Sequence, residues 1–216
     1  MNNAGLLLPF ILSSLVSTTF SLSCMECTVQ GEKQCQGPSV TCPAEFDACV
    51  ATLESNTKDG KDVTYRQYCG KRSTCSYGGT LTTNLGVKRV SSSCCFMNNC
   101  SPPMPKLPTE KTDKNGVSCK ACSEEKGTTC EPSTTIECTG DEKECVSMTV
   151  TNKGLMSSSA LRGCGTATWC SVKDRELLFG GQITEVSITC SGGHTALPPG
   201  LPLMLLAAIF IIKVIY

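Results

Sequence analysis

Apolar and β-branched residues along this chain come in short runs broken by turn-forming residues. No stretch keeps a 3.6-residue apolar period long enough for a helix. Val50 to Ser55 and Val63 to Tyr68 are rich in strand formers and flank Asn56-Thr57-Lys58-Asp59-Gly60-Lys61, where Asp59-Gly60 is a strong turn signal. A second hairpin is expected between Cys75 and Cys94, turning near Asn84-Leu85-Gly86. Later in the chain, Asn152-Lys153-Gly154 and Gly180-Gly181 stand at the corresponding places. Shorter hairpins are expected between Cys27 and Cys35 and between Cys122 and Cys130. The prediction is an all-β chain of two units, each with three hairpins. Longer apolar runs occur only at the ends, Leu6 to Val16 and Leu201 to Tyr216.

The cysteines show that the two units are copies. Cys24, Cys27, Cys35, Cys42 and Cys49 are separated by 2, 7, 6 and 6 residues, and Cys119, Cys122, Cys130, Cys138 and Cys145 by 2, 7, 7 and 6. Cys69, Cys75 and Cys94 then follow at 19, 5 and 18, and Cys164, Cys170 and Cys190 at 18, 5 and 19. Eight positions recurring within one residue of each other mark an internal duplication. Only the first copy adds Cys95 and Cys100.

Eighteen cysteines among 216 residues, an even number, point to a disulfide framework in an oxidising compartment. Each bridge contributes ~2–4 kcal/mol, so four match the net stability of a typical domain, ~5–15 kcal/mol. A unit this small with few aromatics needs such staples. Zinc is the rival reading of the Cys-x-x-C pairs, but it asks for a second ligand pair, usually with histidine, and the single histidine is His194. Nineteen basic side chains balance nineteen acidic ones, and no basic stripe of the kind nucleic acid requires is present. Catalysis has little to work with. His194 lies in a segment expected to be removed, and adjacent acids such as Glu124/Glu125 and Asp141/Glu142 are expected to be solvated loop residues. No cofactor is expected.

Residues 1–21 fit a secretory signal: a short apolar region, then small residues at Thr19 and Ser21. Residues 22–100 form the first domain. Residues 101–116, with Pro102, Pro103, Pro105 and Pro108, form a semi-rigid linker, and 117–191 the second domain. Residues 192–216 combine small residues, a short spacer and an apolar tail, the pattern of a glycosylphosphatidylinositol (GPI) attachment signal, with Ser191 or Gly192 as the attachment residue. A transmembrane helix is disfavoured, because Leu201 to Ile212 supplies 12 uncharged residues where about 20 are needed.

The succession of Cys-x-x-C, two further cysteines, a long hairpin and the closing Cys94-Cys95-x4-Cys100 resembles the lymphocyte-antigen-6/urokinase-receptor family of three-finger domains, in both copies. The resemblance implies the pairing Cys24–Cys49, Cys27–Cys35, Cys42–Cys69, Cys75–Cys94 and Cys95–Cys100, then Cys119–Cys145, Cys122–Cys130, Cys138–Cys164 and Cys170–Cys190. The chain departs from the family in lacking a last loop in the second copy, and in having Ser101 where asparagine usually follows the final cysteine. In layout it is most similar to the two-domain gamma-type phospholipase A2 inhibitors, through Thr41-Cys42-Pro43-Ala44, Asn115 to Cys122 and Glu137-Cys138-Thr139-Gly140. Amphibian sodefrin-precursor-like pheromone proteins share that layout.

Rigidly held loops suit recognition, so the expected function is a GPI-anchored binding protein on the cell surface, taking an extracellular protein ligand on its fingers. The resemblance implies two alternatives, a secreted inhibitor whose partner is a phospholipase A2, or a pheromone-like secreted protein. Candidate contacts are Lys58, Asp59 and Lys61 on the first domain's central finger and Lys88 and Arg89 on its third. In the second domain they are Lys153, Leu155 and Met156, and Leu177, Leu178 and Phe179. The apolar triplet is either tucked against the neighbouring domain or offered to a partner. Asn99-Cys100-Ser101 satisfies the N-glycosylation sequon.

Overall fold

The computed structural model describes residues 21–57, 62–171 and 174–195. The leader through residue 20, the apolar tail and the nominated contacts Lys58, Asp59 and Lys61 lie outside the described residues. The first copy contributes β1 (Ser23–Met25), β2 (Cys27–Gln30), β3 (Ser39–Thr41), β4 (Ala48–Asn56), β5 (Asp62–Gly70), β6 (Gly78–Thr83) and β7 (Gly86–Cys95). The second contributes β8 (Lys114–Glu124), β9 (Thr134–Thr139), β10 (Glu142–Asn152), β11 (Ser157–Thr166), β12 (Asp174–Phe179), β13 (Gln182–Gly192) and β14 (His194–Thr195). Helical turns are confined to Arg72–Thr74 and to α1 (Ala167–Cys170) among the described residues. The protein is all-β and disulfide-rich, as the strand patterning requires.

The two long hairpins of each copy form where the turn residues place them. β4 and β5 flank the Asn56–Lys61 segment, and β6 and β7 turn at Asn84-Leu85. β12 and β13 join through Gly180 and Gly181, both with φ in the left-handed region (60° and 72°). That is the backbone a two-residue hairpin turn demands and that glycine adopts without strain. The first fingers differ from the expected short hairpins. β1 pairs with β3 and β8 with β9 at the base, while β2 leaves its return chain and pairs with β5. The outer end of β8 likewise pairs with β11, through Ala160–Arg162.

Nine disulfides hold the fingers: Cys24–Cys49, Cys27–Cys35, Cys42–Cys69, Cys75–Cys94, Cys95–Cys100, Cys119–Cys145, Cys122–Cys130, Cys138–Cys164 and Cys170–Cys190. The members of each Cys-x-x-C go to different partners, and among the described residues no cysteine is free. The cysteine clusters close enough to grip a metal, Cys24/Cys42/Cys69, Cys49/Cys95/Cys100 and Cys119/Cys138/Cys164, are therefore bridged sulfurs. Each base is a stack of bridges: Cys42 Sγ lies 3.3 Å from Cys24 Sγ, with Phe46 packed beside them. In the first copy the closing loop is tied down despite Ser101. The Ser23 amide donates to Asn98 Oδ1 at 2.9 Å and the Asn99 amide to the Ser23 carbonyl at 2.6 Å.

The copies do not sit as two beads. β5, β4, β7 and β6 form one four-stranded sheet and β11, β10, β13 and β12 another, each antiparallel throughout. β6 pairs with β11 (Leu81↔Gly165, Thr82↔Cys164) and β12 with β5 (Leu177↔Gly70, Leu178↔Cys69). The result is a closed ring of eight strands with pseudo-twofold symmetry, and closure removes the exposed edges each sheet would otherwise carry. Its interior holds a cluster of buried residues supplied by both copies: Tyr77, Leu81 and Val90 from the first, Val146, Met148, Trp169, Val186 and Ile188 from the second.

The proline-rich segment is more than a spacer. Pro102 and Pro105 are buried, Met104 and Leu107 pack on the outer cluster of Ala51, Leu53 and Tyr65, and the Pro108 carbonyl accepts from Arg89 Nη1 at 3.3 Å. The chain thus runs along the first domain's outer surface before β8 begins.

At the seam between β6 and β11, a Cβ on Gly163 would stand 2.0 Å from the Thr82 carbonyl oxygen. Only glycine permits that approach. Gly163→Ala is expected to destabilise the disulfide-intact protein by about 1–3 kcal/mol in denaturant titration. Gly192→Ala, whose added carbon meets nothing within 4 Å, is expected to stay within about 0.5 kcal/mol of wild type.

Candidate functional site

Two regions carry functional chemistry, the fingertips and the barrel interior. At the tip joining β10 and β11, the Leu155 amide donates to Asn152 Oδ1 at 2.9 Å, and Met156 takes a left-handed φ of 48°. Leu155 is 65% and Met156 94% exposed. Lys153 pairs with Glu185 of β13 at 2.5 Å, and that carboxylate raises the lysine's pKa. Cation and anion form a polar rim beside two apolar side chains standing in water.

Leu177, Leu178 and Phe179 have a different setting. Leu177 and Phe179 pack with Ala48, Val50 and Tyr68, and Leu178 packs against the Cys24/Phe46 cluster, all in the first domain. The Gly180 amide donates to Glu26 Oε1 at 2.8 Å, and Lys71 forms an ion pair with Glu176. Of the two readings open for this triplet, the packing is that of a tuck against the neighbouring domain. Lys88 and Arg89 also face inward or along the fold. Lys88 pairs with Glu54 at 2.5 Å, and Arg89 bonds Ser55 Oγ and the linker carbonyl of Pro108. Asn99 is exposed with φ 54°, and its Oδ1 accepts a hydrogen bond from the Ser39 hydroxyl. Ser191 and Gly192 are exposed within β13, opposite Cys145 and Glu144.

The two adjacent acids expected in solvent part company. Asp141 is exposed and paired with Lys111 at 2.7 Å, whereas Glu142 is 1% exposed. Its Oε1 accepts from the Thr82 hydroxyl across the domain seam at 2.8 Å, and its Oε2 from the Thr139 amide at 3.3 Å. It is a seam fastener with no substrate access. Burial raises its pKa, outweighing the hydrogen bonds from Thr82 and Thr139 that lower it.

Inside the ring lies a cavity of about 580 Å³, within the usual size range of ligand pockets. Its walls include Tyr68, Tyr77, Val90, Met148, Val150, Trp169, Leu177 and Phe179. Charged groups enter it from four strands: Glu54, Arg66, Lys88 and Arg175. The Arg175 guanidinium lies 3.1 Å from the centroid of Tyr77 and 5.9 Å from that of Trp169, whose rings meet edge to face at 4.9 Å. Burial would raise the Glu54 pKa, but the charges of Lys88, Arg66 and Arg175 prevail and hold it below the usual carboxylate value. Burial pushes the Tyr68 and Tyr77 phenols up, so both remain neutral. Sequence reasoning missed this cavity. The available signals were the lone tryptophan and the charged residues in phase with an apolar strand face, Val50-x-Thr52-x-Glu54 and Lys88-x-Val90.

Paired three-finger units, their loops held on disulfide-stapled bases, are the architecture of an extracellular binding protein. Residues 21–103 and 115–196 match the u-PAR/Ly-6 domain, and the chain belongs to that family. It is 28% identical over 178 residues to the urokinase plasminogen activator surface receptor of Rattus norvegicus, covering 80% of this chain and 53% of that protein. This chain thus spans about half the receptor's length. It is 24% identical over 192 residues to a phospholipase A2 inhibitor of the gamma type from Gloydius brevicaudus siniticus, covering 84% of this chain and 94% of the inhibitor. It is also 32% identical over 123 residues to Protein RoBo-1 of Rattus norvegicus, covering 54% of this chain and 48% of that protein.

The raised pKa of Glu142 has a definite sign in stability. Its contribution is fully present below the unfolded value, about 4.3, and is lost as pH rises through the higher folded value. Comparing unfolding midpoints of wild type and Glu142→Gln at pH ~4 and ~7, wild type is expected to lose ground to the variant at the higher pH. A difference independent of pH would contradict the assignment.

Proposed function

We propose that this chain is a GPI-anchored receptor on the cell surface that takes an extracellular protein ligand on the central finger of its second domain. The observation that carries the reading is the exposed Leu155-Met156 tip. A non-glycine residue in left-handed backbone costs about 1–3 kcal/mol, and here that backbone holds a nearly fully exposed methionine. Burying a leucine or methionine under a partner returns roughly 1.5–3 kcal/mol each, with Lys153 and Glu185 to fix orientation. Anchor attachment at Ser191 or Gly192 would leave the second domain directly above the bilayer and would remove β14 with the tail. Asn99, on the exposed closing loop of the first domain, is available for a glycan. A secreted phospholipase A2 inhibitor is the second reading, favoured by the match along nearly the whole length of the gamma-type inhibitor.

Treating expressing cells with phosphatidylinositol-specific phospholipase C is expected to release the protein into the medium. Soluble ectodomain bearing Leu155→Ser and Met156→Ser is expected to bind cells at least tenfold more weakly than wild type, with an unchanged thermal midpoint. Spontaneous appearance in the medium, together with inhibition of purified secreted phospholipases A2 at micromolar protein, would replace this reading with the inhibitor.

A further inference from the structure

The barrel interior contains more cationic and hydrogen-bonding capacity than the fold uses. Trp169 is completely buried, yet its indole Nε1 has no hydrogen-bond partner, and neither has Arg175 Nε. Buried donors in native proteins are nearly always satisfied, so two unpartnered donors on residues that line one cavity make it a candidate site for a ligand acceptor. Among the described residues no carboxylate makes an ion pair with Arg175; Glu54 is in contact with Lys88 and acts on the arginine only at longer range. The cavity therefore carries three cations, Arg66, Lys88 and Arg175, against one carboxylate. Arg175 stands near the start of β12, paired with Val186 of β13, with Tyr77 and Trp169 beside it. Met148, Val150, Val90, Leu177 and Phe179 supply apolar wall around it, and Asn152, Thr184 and Gln182 are polar. An interior cation whose Nε lacks a partner, set in aromatic and aliphatic wall, fits an anion with an apolar body. A fully hydrated inorganic ion would waste that wall, and a neutral lipid would leave the arginine unpaired.

We propose that the barrel interior binds a fatty-acid-like organic carboxylate, its head group on Arg175 and its apolar body along Val90, Met148, Val150 and Phe179. This site lies below the fingertip and meets it at Asn152, which lines the cavity and accepts from the Leu155 amide. Both domains build it, so it exists only while the ring is closed. Trp169, the single tryptophan, lies in its wall and is a built-in reporter.

The test titrates the disulfide-intact ectodomain with cis-parinarate, reading energy transfer from Trp169. Saturable transfer at one probe per chain is expected, displaced by oleate and at least tenfold less effectively by oleyl alcohol. Arg175→Met is expected to weaken parinarate at least tenfold. Thr184→Phe, which fills the cavity and leaves the arginine, is expected to abolish saturable transfer while keeping a buried tryptophan emission. Transfer that never saturates, displacement by the alcohol as readily as by the acid, or unchanged binding in a folded Arg175→Met protein would overturn the proposal, leaving a cavity filled by water alone. Should Arg175→Met fail to fold, the contrast between oleate and oleyl alcohol on wild-type protein decides.

Discussion

The structure depends on closure of the eight-stranded ring at two seams, each only two residue pairs long. A seam so short could not hold by its hydrogen bonds alone, at roughly 0.5–1.5 kcal/mol each. Two other devices reinforce it. One is covalent: Cys69 and Cys164 sit at the seams, and their bridges to Cys42 and Cys138 fix the strand ends there. The other is the shared core, where Trp169 from one copy meets Tyr77 from the other. Disulfides make each finger set rigid, and the apolar interior joins the two sets.

Much of this was legible in the chain. The cysteine spacing shows a duplication, and the turn residues place the long hairpins, because those signals are local and chemically specific. The bridge partners needed the family resemblance, since eight cysteines permit 105 pairings. Closure was not legible. Leu177-Leu178-Phe179 reads equally well as a sticky fingertip or a seam, and only the partner strand β5 decides. The proline-rich segment reads as a spacer because prolines lack amide donors, yet Met104 and Leu107 bring apolar surface that covers the first domain's outer face. Glu142 reads as one of two solvated acids, and nothing local announces that Thr82, sixty residues upstream, will receive it.

Function follows from the division between what closure buries and what it leaves out. Ring formation consumes the third finger of the second domain as a seam element and turns Lys88 inward. The central finger of that domain keeps Leu155 and Met156 in solvent, Met156 on left-handed backbone, with a salt-bridged rim. The same closure builds a half-open, mixed apolar and cationic cavity to which both copies contribute. The proposed fingertip contact and the proposed interior site thus both follow from one closure.

The most direct test of ring closure is a nuclear Overhauser measurement between the aromatic protons of Tyr77 and Trp169, one from each copy. The account predicts strong cross-peaks between the two rings, as their edge-to-face contact at 4.9 Å requires. Absence of those cross-peaks, with the two domains tumbling independently, would contradict it.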